Sequence, residues 1–186
     1  AELENIPEVD LVLGNTGKDV LVQEVVSFQK DTFSPCAVGE ERSGREEWTR
    51  GTGIHRARAM VQIQQGCNQV CTYCIVPKVR GRERSIPVNH LVAQILALEK
   101  EGFQEVVLTG TQLVSYGFDI PGASLLRLIE LLLNKTTIPR IRVSSLQPQI
   151  LGEELLALWQ DSRLCPHFHI PLQSGSDTVL RRMGRR

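Results

Sequence analysis

Three cysteines fall within eight residues of this chain, Cys67, Cys71 and Cys74, spaced C-x3-C-x2-C inside Gln64-Gln65-Gly66-Cys67-Asn68-Gln69-Val70-Cys71-Thr72-Tyr73-Cys74. Thiolates this close in sequence can converge on one inorganic centre. A three-thiolate set suits a cubane [4Fe-4S] cluster in which three irons are tied to protein and the fourth is left open, whereas structural zinc needs four ligands. Zinc stays open as the alternative, with Cys36, Cys165 or a histidine as the fourth ligand, but the second close Cys or His pair of a zinc finger is missing. Three of only five cysteines in 186 residues lie here, which speaks for a shared ligand over scattered buried thiols.

The wider wording carries a resemblance. C-x3-C-x2-C with an aromatic, Tyr73, before the last cysteine resembles the cluster loop of radical S-adenosylmethionine (SAM) enzymes. "GCNQVCTYCIVPKVRGRERS" (66–85), "EVVLTGTQLVSYG" (105–117), "RIRVSSLQP" (140–148) and "HIPLQSGSDTVLRRMGRR" (169–186) resemble the methylthiotransferases that modify tRNA, over nearly the whole chain. The resemblance implies that Cys67, Cys71 and Cys74 hold a [4Fe-4S] cluster whose open iron takes the amino and carboxylate groups of SAM. An electron delivered through the cluster then cleaves the sulfonium bond to a 5′-deoxyadenosyl radical, while the protein holds, orients and shields.

The same resemblance suggests further SAM contacts. Tyr73 would lie against the adenine, with a core aromatic as the alternative. Gly110 sits in a glycine turn where backbone can approach ligand closely; the family often continues G-Q-N or G-x-H, this chain has Gly110-Thr111-Gln112, and Gln112 is not assigned a contact. Ser144 and Ser145 offer hydroxyls at a strand end, followed by Gln147 where the family has an acid. Gln173 and Ser174 are further candidates, with Gly175 as a tight turn and Ser176 or Asp177 as helix cap. His167 and His169 alternate with Phe168 and Ile170, so both point to one face of a strand; they are read as structural, and Cys165 as packing. No catalytic side chain is assigned. Lys78, Arg80, Arg82 and Arg84 come after the cluster loop, either as a solvated loop or as an RNA-binding stripe giving salt-sensitive attraction.

These groups need elements to place them. Val9 to Gly14 has strand composition, Asn15 or Thr16 can cap a helix over Asp19 to Phe28, and Val20, Leu21, Val25 and Val26 recur at helical spacing, which makes a βα unit. Periodicity fades from Gln29 to Arg58, with charge, Gly and Ser over Glu40 to Glu47; Cys36 and His55 read as loop residues there. Strands are then expected at Ala59–Gln64, Glu105–Leu108, Arg140–Ser144 and His167–Pro171, and helices at Val88–Lys100 (with Gly102 just past its end), Ser124–Leu133, Gly152–Trp159 and from Asp177. Four strands alternating with helices imply parallel βαβ units stacked in sequential order. Every unusual polar loop comes after a strand, which gathers the chemistry on one rim.

The fold class expected is α/β: a partial parallel (β/α) barrel of the radical SAM type, truncated and with an open strand edge, preceded by the last βα unit of an N-terminal α/β domain. The domains are residues 1–28 (end of the N-terminal methylthiotransferase domain), 29–58 (linker) and 59–186 (N-terminal part of the radical SAM domain). A chain of 186 residues with 41% apolar and 5% aromatic residues can bury one sizeable core. Charge is balanced, 21 basic against 21 acidic residues, so RNA would have to bind through local patches. The odd cysteine count and the absence of an apolar leader or an 18-residue apolar run argue against secretion and membrane insertion and for the cytoplasm. Opening on Ala-Glu-Leu-Glu and closing on Arg-Arg, the chain reads as an excised piece.

The function expected is that of a radical SAM methylthiotransferase adding a methylthio group to an adenosine beside the tRNA anticodon, with N6-threonylcarbamoyladenosine favoured over isopentenyladenosine and over a ribosomal-protein aspartate. Its partners would be tRNA, SAM and an electron donor. In the family a second [4Fe-4S] cluster is held by cysteines before this start, so the piece would bind one cluster and SAM without completing the reaction. A zinc-binding module and an iron-sulfur electron carrier are the rivals from other classes.

Overall fold

The computed structural model describes Val12, residues 20–32 and residues 57–185. By backbone proximity the chain divides into two units, Ala1–Ile54 and His55–Arg186. In the first, helix α1 (Leu21–Thr32) runs past Phe28, so the first residues of the expected linker are helical. Its Leu21, Val25 and Val26, and Val20 just before it, are exposed. The Val9–Gly14 strand, the caps Asn15 and Thr16, and Cys36 and His55 fall outside the described residues, Val12 apart.

The second unit is built on a four-stranded sheet. Strand β1 (Arg58–Gln65) pairs in parallel with β3 (Glu105–Gly110), which pairs in parallel with β4 (Arg140–Val143). Helix α2 (Val76–Val79) precedes the two-residue strand β2 (Arg84–Ser85), which runs antiparallel to the end of β1 and covers that edge, giving the order β2-β1-β3-β4. β2 is pinned by the next crossover loop, where the Gly117 N–H donates to Ser85 Oγ at 2.8 Å and the Ser85 N–H to Asp119 Oδ2 at 2.8 Å. Tyr116 is fully buried beneath it, donating to the Ile86 carbonyl at 2.8 Å. Burial, with the charge of Asp119 adding to it, pushes the Tyr116 phenol up to about 12.

Helix α3 (Val88–Lys100) buries Leu91 and Ile95, and α4 (Leu125–Lys135) buries Leu125, Leu128, Ile129 and Leu132. These join Val61, Ile63, Val106, Leu108, Ile138, Ile141 and Val143 in one core; each such aliphatic side chain contributes about 1.5–3 kcal/mol when fully buried. Both helices end or begin on legible signals. Ser124 Oγ accepts the Arg127 N–H at the start of α4. After α3, Gly102 at φ +88° closes a Schellman motif, with Gly102 N–H to Glu99 O and Phe103 N–H to Leu98 O. Helix α5 (Glu153–Ala157) continues as a 3₁₀ turn, Leu158–Gln160, and α6 (Asp177–Arg182) closes the chain. No helix among the described residues is long and apolar enough to cross a membrane.

Two expectations are corrected. The edge strand β2 is added, antiparallel, to a sheet expected to be wholly parallel. The fourth parallel strand is replaced by isolated bridges, Ile141 with Leu164 and Ser145 with His169. Pro166 and Pro171 bracket the segment and each removes a ladder donor, which shortens the pairing this edge can make.

The amino ends of the strands hold a charge cluster instead of chemistry. Glu105, 7% exposed at its side chain, accepts from Arg142 at 2.7 Å and pairs with Arg58 at 2.8 Å and Arg140 at 3.1 Å. Burial would raise its carboxyl; the Arg142 hydrogen bond and the three guanidinium charges outweigh that and hold it below the usual carboxylate range. A pocket of about 500 Å³ opens there, lined by Ala57, Arg58, Gln104, Glu105 and Arg140, at the opposite end of the strands from the cysteines.

Candidate functional site

The carboxyl ends of β1, β3 and β4 share one rim, and the site is assembled from the segments that leave it. β1 carries a bulge at its end: Gln62 pairs with Thr109 but Gln64 with Gly110, so Ile63 is extra and both Ile63 and Gln64 turn inward. Gln64 is fully buried. Its Nε2 donates to the carbonyls of Gln65 (3.1 Å) and Gly66 (2.9 Å), and its Oε1 accepts the Gln112 N–H (2.8 Å). The start of the cysteine loop is thereby tied to the loop after β3.

The loop packs against the basic stretch behind it. Gly66 takes φ +73°, and a Cβ there would lie 2.0 Å from the Arg82 carbonyl oxygen. The Cys67 N–H donates to the Gly81 carbonyl at 3.2 Å and the Glu83 N–H to Asn68 Oδ1 at 3.3 Å. Within the loop the Cys74 N–H donates to the Cys71 carbonyl at 3.1 Å.

From the far end of the chain, α6 finishes in a second Schellman motif. Gly184 (φ +68°) donates to Arg181 O and Arg185 to Leu180 O, which leaves the Met183 carbonyl to accept the Thr72 N–H at 3.0 Å. A Cβ on Gly184 would come within 2.9 Å of the Val70 carbonyl oxygen. Arg185 Nη1 donates to the Tyr73 hydroxyl at 2.9 Å, and that hydroxyl donates to Gln173 Oε1 at 3.2 Å.

Cys67 and Cys71 are buried and Cys74 half-buried; all three, with Cys165, are free thiols. The Cys67 thiol donates to Gln112 Oε1 at 2.6 Å and its sulfur accepts the Gln69 N–H at 3.3 Å. Burial pushes the Cys67 thiol up, the Gln69 contact opposes this, and the neighbouring Cys71, Glu83 and Cys74 add to the rise. Such a thiol ionises when a cation binds it. Among the described residues no three His, Cys, Asp or Glu side chains converge on a point that would hold a single ion. Ligands of a cubane bind separate corners, and three thiols of one loop, electrostatically coupled and without carboxylate or imidazole, are a donor set that fits an iron-sulfur cluster.

The remaining candidates are spread around this loop. Tyr73 is 53% exposed, so it is not a core aromatic. Gly110 is packed from within, a Cβ there meeting Leu113 Cδ2 at 2.8 Å and Gln64 at 3.1 Å. Ser144 gives its N–H to the Leu108 carbonyl, and Ser145 Oγ meets His169 Nδ1 at 2.7 Å. Ser174 Oγ accepts the Ser176 N–H at 3.1 Å. The left-handed residue of that turn is Gln173 at φ +67°, not Gly175, which has open space around it. Ser176 is the N-cap of α6 but makes no side-chain cap bond. Cys165 is buried, its carbonyl accepting Trp159 Nε1–H at 2.9 Å. Lys78, Arg80, Arg82 and Arg84 are all exposed, and none joins an ion pair among the described residues. Sequence reasoning misses Gln64, Gln112 and Arg185 as site residues; only the glycines at 66 and 184, one beside Cys67 and one past a helix, hint at the close approaches that involve their neighbours.

A loop of three thiols at the carboxyl rim of three parallel strands defines a class: the chain belongs to the radical SAM superfamily, whose family model matches residues 61–186. An iron-sulfur cluster and SAM are what that superfamily uses. Among its relatives is the threonylcarbamoyladenosine tRNA methylthiotransferase of Aquifex aeolicus, 38% identical over 187 residues, covering 99% of this chain and 45% of that protein. The tRNA-2-methylthio-N(6)-dimethylallyladenosine synthase of Clostridium tetani is 34% identical over 190 residues, covering 100% of this chain and 41% of its own length. The chain thus spans less than half the length of these curated relatives. The fold is shared with the radical SAM methyltransferase TsrM of Kitasatospora setae (TM-score 0.54, 20% identity, 77% of this chain and 28% of that one).

Proposed function

We propose that this chain is the radical SAM portion of a methylthiotransferase that adds a methylthio group to N6-threonylcarbamoyladenosine next to the anticodon of tRNA. What carries this reading is the similarity to a relative of that name over almost the entire chain. The Clostridium tetani relative favours isopentenyladenosine as the second reading. A second [4Fe-4S] cluster held outside these residues, and an external electron donor, belong to the proposal.

In it, Cys67, Cys71 and Cys74 hold the [4Fe-4S] cluster. Bound together, cluster and SAM supply reductive cleavage of a carbon–sulfur bond. The chain's residues hold and orient. Tyr73 presents an exposed ring whose hydroxyl is fixed by Arg185 and Gln173, a surface suited to adenine. Ser145, just past β4 with its hydroxyl on His169, and Gln173 and Ser174, in the loop before α6, offer polar groups that can bind a ligand. Gly110 keeps the β3 turn close-packed on Gln64, so its contribution is to shape the rim. Residues 1–28 would end the N-terminal domain and 29–58 would link it to the radical SAM domain.

The test is anaerobic reconstitution of the longer protein, then visible spectra, a 5′-deoxyadenosine assay and mass spectrometry of nucleosides from treated tRNA. Iron-sulfur absorption, SAM cleavage and a methylthio-threonylcarbamoyl nucleoside are expected. Colourless zinc, or a reversible cluster without SAM cleavage, would overturn the enzyme; a methylthio group on isopentenyladenosine alone would overturn the substrate.

A further inference from the structure

We propose that Gln112 donates a hydrogen bond to the metal-bound sulfur of Cys67 and so raises the reduction potential of the cluster, a proposal that rests on the iron-sulfur reading above. Gln112 is only 8% exposed, and its backbone is held at both ends. The N–H is on Gln64 Oε1 at 2.8 Å, and the carbonyl accepts from the Ser115 N–H at 3.1 Å and Ser115 Oγ at 3.0 Å. Gln64 cannot turn without breaking its bonds to Gln65 and Gly66. The Gln112 side chain is therefore aimed from a rigid base, and the partner it meets is Cys67 Sγ at 2.6 Å.

With the thiol protonated, sulfur donates and the amide oxygen accepts. Iron binding removes that proton, and an amide oxygen facing a thiolate is repelled. The two ends of a glutamine amide are nearly equal in shape, so a half-turn about its last bond replaces oxygen with NH₂ and leaves the backbone clamp untouched. An N–H donor on a coordinating sulfur draws off negative charge and favours the reduced, more negative state, one of the levers that set iron-sulfur potentials. Among the described residues no side chain hydrogen-bonds to the sulfur of Cys71 or Cys74, so the bond singles out the corner held by Cys67.

The experiment is a potentiometric titration with dithionite, monitored by electron paramagnetic resonance, on the anaerobically reconstituted chain and its Gln112→Leu and Gln112→Glu variants, each with measured iron content and circular dichroism. Gln112→Leu keeps the bulk and removes the donor; its midpoint is expected at a more negative potential with iron content unchanged. Gln112→Glu removes the donor and adds charge, and its midpoint is expected lower still. If Gln112→Leu misfolds, the Glu variant decides. Midpoints equal to wild type, or loss of iron from both folded variants, would overturn the tuning role while leaving the cluster reading intact. A wild-type chain without iron-sulfur absorption would overturn both.

Discussion

A methyl group at Gly66 would have to occupy the space of the Arg82 carbonyl oxygen, 2.0 Å away, on a backbone already at φ +73°. Gly66→Ala should therefore cost more than about 2 kcal/mol, read as a lower urea midpoint at unchanged slope, since neither the backbone carbonyl nor the left-handed conformation gives way easily. The thiols separate by position. Serine at Cys67, Cys71 or Cys74 should each abolish the visible absorption of the reconstituted protein. Cys165→Ser, at a buried thiol whose backbone carbonyl accepts from Trp159, should keep the absorption and lose about 1–3 kcal/mol of stability from a buried hydroxyl. At this scale the cysteines are legible because their spacing is itself the signal. Gln64 and Gln112 are not: the first becomes notable only when a bulge turns it inward onto the Gln112 backbone, the second only when the fold sets its amide against a thiol 45 positions away.

Among the elements, the turn after α6 is the one that reaches the site. Gly184→Ala combines a disfavoured left-handed φ with a contact 2.9 Å from the Val70 carbonyl, so it should free the Thr72 amide from Met183. Hydrogen exchange at Thr72 should then speed up while amides in β3 keep their protection. At the opposite rim, Glu105 has a depressed folded pKa, so between its folded and unfolded values the unfolded chain binds the extra proton. Its contribution is complete above about pH 4.3 and is lost as pH falls through the folded value. Glu105→Gln should cost about 1–3 kcal/mol at neutral pH, discounted for the exposed Arg58 and Arg140, and should flatten stability against pH in acid unfolding curves. The regular helices can be read in advance: α3 spans the expected Val88–Lys100, with Gly102 ending it. The fourth strand cannot, because alternation at His167–Ile170 looks like β pairing while the flanking prolines, and the single bridge they leave, decide against it.

For the molecule as a whole, the basic stretch is stitched to the cysteine loop through Gly81, Arg82 and Glu83, so any polyanion bound by Arg80, Arg82 and Arg84 would be held beside the site. Replacing Arg80 and Arg82 together by Ala in the longer protein should lower the slope of log affinity for tRNA against log salt by about 2 and weaken binding across sequences. An unchanged slope would discard the contact. Sequence indicates the rim because polar loops come after strands, but not how α6 closes on it, a contact joining positions 112 apart.

That separation has a consequence during synthesis. A nascent chain extended at about 5–20 residues per second acquires Tyr73 roughly 6–22 s before Arg185 is added. Throughout that interval the thiols lack their final clamp, so metal loading during it would meet an unbraced loop, and stable incorporation should come only after Arg185 has been made and folded onto Tyr73.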